Sequence, residues 1–161
     1  MTRAKFKSSD PSPKAIGLRR RACVAVLVTT LAGTAYAHSG VENPAVMARM
    51  HVMKDIAAAL ETLGDMAKGK RAYDADLAAV SKARLAAKAR ATAGAFEAPE
   101  DDPKSEARAE IWDNWSDFVL KTRAMEDAVA ALEVGSAAEI GAGLRPIGQT
   151  CTACHRAYRV D

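Results

Sequence analysis

The sequence predicts an all-α fold, an antiparallel four-helix bundle. Three observations carry that prediction. Apolar residues recur at alternating intervals of four and three in three of the four runs after residue 43. Helix-start and helix-stop residues bracket those runs. No segment shows the period-two alternation of a strand.

The first helix opens at Asn43-Pro44, a capping side chain followed by proline at the first helical position. Its stripe is Val46, Met50, Met53, Ile56, Leu60 and Leu63, and Gly69 ends it. The second helix starts after Asp74 and runs to near Thr92. It is alanine-rich, and Leu77, Val80 and Leu85 do not define a face. Pro99, Glu100, Asp101, Asp102 and Pro103 make the next segment a polar loop rather than a domain boundary. The third helix follows Asp102-Pro103. Ile111, Trp115, Phe118, Thr122, Met125, Val129 and Leu132 form its seam, and Gly135 closes it. Ser136-Ala137-Ala138-Glu139 reads as a capping box opening the fourth helix. That helix carries Ile140, Leu144, Ile147, Cys151, Cys154 and Tyr158 on one stripe. Pro146 removes one of its hydrogen bonds and predicts a kink a turn before Cys151.

Cys151-Thr152-Ala153-Cys154-His155 is a C-x-x-C-H box, the attachment sequence for a c-type haem. Two thiols add across the vinyl groups of one porphyrin edge, and the next histidine turns a ring nitrogen onto the iron. Positions i, i+3 and i+4 share a helix face, so one turn presents all three groups to one macrocycle. A redox dithiol is the first alternative, but that motif belongs near a βαβ pattern. A closed zinc site needs four ligands, and the other histidines are only His38 and His51. The bundle is therefore expected to hold one covalently attached haem c in its core. Only six residues follow His155, none of them methionine or histidine, so any sixth iron ligand must lie upstream.

Residues 1–37 read as a secretory signal peptide. Lys5, Lys7, Lys14 and Arg19-Arg20-Arg21 form a basic start. Ala22 to Thr34 is apolar but too short to span a bilayer, and Ala35-Tyr36-Ala37 is a cleavage site. The paired arginines resemble a twin-arginine signal. Leu18 before them and the absence of a clear motif favour the general secretory route. Cys23 lies too far from the cleavage site to suggest a lipid anchor. Export to the periplasm follows, with residues 38–161 as one mature cytochrome domain. The leader holds seven of the 23 Lys/Arg and one of the 20 Asp/Glu. The mature chain thus keeps 16 basic and 19 acidic residues, net −3, which removes any argument for nucleic-acid binding. Its only cysteines are Cys151 and Cys154.

Four helices with a haem box on the last resemble the cytochrome c-prime family, the class II c-type cytochromes. The resemblance also rests on Arg49 with Met53, on Ile111-Trp112, and on the run from Cys151 to Arg159. It implies that Cys151 and Cys154 tether the haem, that His155 is the proximal iron ligand, and that Met53 faces the distal side. Family members with methionine there are low-spin, which implies a His/Met pair. Met50 is the rival, one turn earlier and about 60° around the helix, and Met47 is about 120° away. His51 is about 200° from Met53 and reads as a surface residue. Arg49 and Arg159 are expected beside the haem, Arg49 toward a propionate, or else on solvated helix ends. Trp112, Trp115, Phe118 and Tyr158 are expected to wall the pocket, or to be ordinary core.

The reading that follows is a periplasmic single-electron carrier, not an enzyme, with redox partner proteins and a possible homodimer. No general base stands beside an open iron position. The alternative is a five-coordinate cytochrome c-prime that binds nitric oxide or carbon monoxide. A third reading is a subunit feeding electrons to an enzyme complex, its acidic surface steered to a basic docking patch.

Overall fold

The computed structural model describes residues 40–160. The signal-peptide assignment, its cleavage site, Cys23 and His38 lie outside the described residues. Five helices follow in order: α1 (Pro44–Ala67), α2 (Ala75–Ala95), α3 (Glu110–Asp113), α4 (Trp115–Ala130) and α5 (Ala137–Tyr158). The four long ones form a closed cycle, α1 against α2, α2 against α4, α4 against α5 and α5 against α1. Short connections at the α1–α2 and α4–α5 ends make those neighbours antiparallel. The expected four-helix bundle is present. Among the described residues there is no strand, only an isolated bridge between Ala107 and Arg159. No described helix is long and apolar enough to cross a membrane.

Local chemistry sets the helix starts. Asn43 Oδ1 accepts from the amides of Ala45 and Val46 at 2.9 and 3.2 Å, with Pro44 at the first helical position. Asp74 Oδ1 accepts from Leu77 N at 2.9 Å, and Ser136 Oγ from Glu139 N at 3.2 Å. Each bond satisfies an amide that the first turn leaves without a carbonyl. Gly69, at φ 68°, turns the chain after α1.

Two expectations need correction. The third helix is interrupted: Asn114, at φ −121° and ψ 41°, separates α3 from α4. Its Nδ2 donates to Glu110 O at 3.2 Å, and the Trp112 indole is held by Phe96 O at 2.8 Å. That anchoring fixes the short turn apart from the helix that follows. The same helix ends at Ala130 rather than at Gly135. Leu132 then folds back onto α5, so close to Gly143 that a Cβ there would sit 2.4 Å from Leu132 Cδ1. Helix α5 carries Pro146 inside it and runs on to Tyr158.

The core has two parts. An aliphatic cluster joins all four long helices and includes Leu63, Leu85, Val129, Ile140 and Ile147. All five side chains have no exposed surface. Each such burial contributes about 1.5–3 kcal/mol against the unfolded chain. A smaller cluster of Phe96, Ile111, Phe118 and Tyr158 stands at the other end. Phe118 is its centre, 5.2 Å from Phe96, 5.4 Å from Trp115 and 5.5 Å from Tyr158 between ring centroids.

Candidate functional site

Between these clusters lies a cavity of about 570 Å³, within the range of small-molecule and cofactor sites. Helix α5 lays Cys151, Cys154, His155 and Tyr158 along it, and α1 opposes them with Arg49, Met50, Met53 and Ile56. Phe96 and Phe118 add aromatic wall. The connector between α2 and α3 supplies Lys104 through Ala107. Residues 100 apart in sequence thus meet because α1 and α5 are neighbours in the bundle.

Electrostatics favours neutral groups inside. Burial pushes the Cys151 thiol up, and the Cys154 thiol likewise against the pull of Lys121. Burial, then the Arg159 charge, lowers the His155 imidazole, with Glu106 opposing. A neutral imidazole is the form that ligates a metal. Tyr158 is pushed up to about 12, first by burial and then by the bond its Oη donates to Asp117 Oδ2 at 2.5 Å. That bond, with Lys121, holds the Asp117 carboxyl below its usual range. Tyr158 therefore stays a neutral, fixed wall of the cavity.

Arg49 is 3% exposed, an unusual position for a guanidinium. It donates from Nε to Ala95 O at 3.3 Å, from Nη1 to Glu100 O at 2.8 Å and from Nη2 to Ala98 O. Its Cζ stacks over Trp112 at 4.9 Å and Phe96 at 5.3 Å from the ring centroids. Burial lowers its pKa, and Glu100 and Asp101 oppose that. Asp102 completes the clamp from the loop side. Its carboxylate accepts from the amides of Glu42 at 2.8 Å, Asn43 at 3.0 Å and Lys104 at 2.8 Å. Together these two side chains tie the connector across the start of α1.

Of the residues singled out by sequence, Cys151, Cys154, His155, Met53, Met50, Arg49, Arg159, Phe118 and Tyr158 line the cavity. Trp112, expected at the cofactor, does not line it. Trp112 stands behind the wall, with its N–H on Phe96 O and its ring under Arg49. Trp115 packs on the aromatic cluster from outside. Met47 and His51 are not in the lining, and His51 is exposed. Arg159 is exposed, and its Nε binds Glu106 Oε2 at 2.8 Å. Sequence reasoning missed Phe96, Lys54, Lys104, Glu106 and Lys121. Lys54 carried a signal, since it follows Met53 directly. Lys104 and Glu106 carried none, because their loop is brought in by distant contacts, from Asp102 to the start of α1 and from Glu106, Ala107 and Arg108 to the end of α5.

Among the described residues no three His, Cys, Asp or Glu side chains gather as a metal cluster. Two thiols and an imidazole on one face of a helix, in a largely apolar cavity, are the donor set of a covalently held haem. A four-helix bundle with that set on its last helix defines a class II c-type cytochrome. The sequence model of the family described as Cytochrome C' matches residues 44–159, and the chain belongs to that family. It is 39% identical over 116 residues to cytochrome c-556 of Agrobacterium tumefaciens (strain apple 185), covering 70% of this chain and 92% of that relative. The cytochrome c' structure from Rhodobacter spheriodes superposes with a TM-score of 0.66 at 31% identity, over 73% of this chain and 95% of that one. A nitric oxide complex of a cytochrome c prime variant from Alcaligenes xylosoxidans gives the same TM-score at 26% identity, over 73% and 94%. The cofactor of the chain is a covalently attached haem c, and the protein is an electron-carrying haem protein of class II.

Proposed function

We propose that the chain is a periplasmic single-electron carrier whose haem iron is held by His155 and Met53. Cys151 and Cys154 would form the two thioethers. The observation that carries the reading is that one turn of α5 and Met53 of α1 border the same cavity. When bound, the haem supplies one-electron exchange at its iron. The protein's part would be to offer His155 and Met53 to the iron from two rigid helices, so that neither need be exchanged with redox state. A thioether is a soft ligand that favours a raised potential. The aromatic and aliphatic walls would reduce the contact of a bound macrocycle with water. Residues 1–37 would direct export and be removed after Ala37. Redox proteins of the periplasm would be the partners, and a homodimer is part of this reading.

The second reading, a five-coordinate gas-binding protein, is favoured by one observation: Met50 and Met53 both line the cavity, and among the described residues no hydrogen bond fixes either side chain. A relative's nitric oxide complex stands beside it. One experiment separates the two. Ferric protein with Met53 ligated shows the weak near-infrared sulfur-to-iron band, and the ferrous form a sharp α band. Met53→Leu should abolish the infrared band, turn the iron high-spin and admit carbon monoxide readily. Met50→Leu should leave the spectrum almost unchanged, at a packing cost under about 1.5 kcal/mol. A high-spin wild type would give the gas-binding reading first place.

A further inference from the structure

A haem carries two propionate carboxylates on the edge opposite its vinyl groups. A carboxylate at an apolar wall needs a cation or water to receive it. Five Lys or Arg side chains border the cavity: Arg49, Lys54, Lys104, Lys121 and Arg159. Three of them already have partners. Arg49 gives three N–H groups to the carbonyls of Ala95, Ala98 and Glu100. Arg159 is paired with Glu106 at 2.8 Å. Lys121 is paired with Asp117 at 3.2 Å, and its charge acts on Cys154, which places it toward the thioether edge.

Lys54 and Lys104 differ from these three. Neither ammonium enters an ion pair among the described residues. Neither belongs to α5, where the thioether edge is fixed: Lys54 stands on α1 and Lys104 on the connector. The Lys104 charge acts on Asp102, two residues away, but the two form no ion pair, and the Asp102 oxygens accept from the amides of Glu42, Asn43 and Lys104 itself.

We infer that Lys54 and Lys104 receive the haem carboxylates, in place of the Arg49 that the sequence pattern suggests. Arg49 is then a positioning residue, holding the connector that carries Lys104. The inference rests on the haem reading above and names the anion-receiving residues of that same site.

Zero-length carbodiimide coupling of the purified holoprotein tests it. The reagent joins an ammonium to a carboxylate in contact, forming an amide and taking up the water as its urea. A guanidinium forms no such amide. After tryptic digestion, the haem peptide containing Cys151 and His155 should be joined to peptides containing Lys54 and Lys104. Lys54→Gln should remove the first link and keep the second, and Lys104→Gln the converse. Both variants should lower the midpoint potential, because losing a nearby positive charge favours the ferric state. Lys68→Gln, on the α1–α2 turn, should leave the potential unchanged. A haem peptide linked only to Lys121, or to no lysine, overturns the assignment while leaving the haem reading intact. So do unchanged potentials in both variants. A tryptic peptide with no haem on Cys151 and Cys154 overturns the reading beneath it as well.

Discussion

The two ends of this bundle are held together by different physics. At one end Leu63, Leu85, Val129, Leu132, Ile140 and Ile147 are completely buried against one another. At the other end the helices stand apart around a cavity of about 570 Å³. Long-range polar contacts shape that end: Arg49 and Asp102 fasten the connector, Trp112 binds Phe96 O, and Tyr158 binds Asp117. The aliphatic end is filled by its own side chains, with one long-range polar contact, Tyr73 Oη to Val134 O at 2.9 Å, across its connections. The cavity end supplies walls, and its occupant completes the packing. Stability and function are thus divided along the helix axes, and the division can be tested.

The largest effect should come from removing the tether. Cys151→Ser with Cys154→Ser leaves the aliphatic end intact and deprives the cavity end of its covalent occupant. Near-UV ellipticity should fall by most of its value while the far-UV helical signal remains. Full native tertiary signal in the double variant would show the haem to be peripheral and the contrast between the ends to be wrong.

The converse change comes next. Leu63→Ala empties space at the aliphatic end and should cost about 2–5 kcal/mol in urea denaturation. The haem spectrum should not change, because Leu63 does not border the cavity. A spectral change as large as that of a cavity-wall variant would mean that the two ends are not independent.

How much of each end was legible in the sequence follows from the same contrast. The aliphatic end rests on periodicity and on local caps, so Asp74 and Ser136 gave its helix starts directly, as Asn43-Pro44 gave the start of α1 at the cavity end. The box was legible because its three groups lie within five residues. The break at Asn114 was not, since the apolar rhythm runs straight through it and the anchor is the distant Phe96 carbonyl. The place of Arg49 was half legible: its turn before Met53 put it beside the cavity, but its carbonyl partners lie 46 to 51 residues away. Trp112 was expected at the cofactor for its type and position, whereas its ring backs the wall. Long-range polar contacts leave no period in a sequence.

A smaller effect should appear on acidification. The amides of Asn43, Lys104 and Glu42 hold the Asp102 carboxyl below its ordinary range. The folded pKa is depressed, so this stabilisation is complete above the unfolded value of about 3.9 and fades as pH falls through the folded one. Exchange of the Glu42, Asn43 and Lys104 amides should accelerate there first. Amides around Leu63 and Leu85 should stay protected. Asp102→Asn should show the faster connector exchange already at neutral pH. Equal acceleration at both ends in hydrogen-exchange mass spectrometry would dissolve the distinction.

The smallest effect should be one substitution with opposite signs in two turns of a single helix. Replacing a glycine by alanine inside a helix contributes about 1 kcal/mol of stability where the methyl group has room. Gly148 has it: no heavy atom lies within 4 Å of the position its Cβ would take, and the residue is exposed. Gly143 does not have it, with Leu132 Cδ1 at 2.4 Å and Leu132 Cα at 3.5 Å from the added carbon. Leu132 is itself fully buried, so its side chain must shift within the core to admit the methyl group. Overpacking of that kind costs about 1–3 kcal/mol, which outweighs the helix term. Gly148→Ala should therefore raise the urea midpoint of the holoprotein, and Gly143→Ala should lower it. Adding Leu132→Ala to Gly143→Ala should cost less than the sum of the two single changes, because the clash disappears with the side chain that causes it. If Gly143→Ala stabilises as much as Gly148→Ala, Leu132 yields freely and the aliphatic end is less tightly packed than its burial implies.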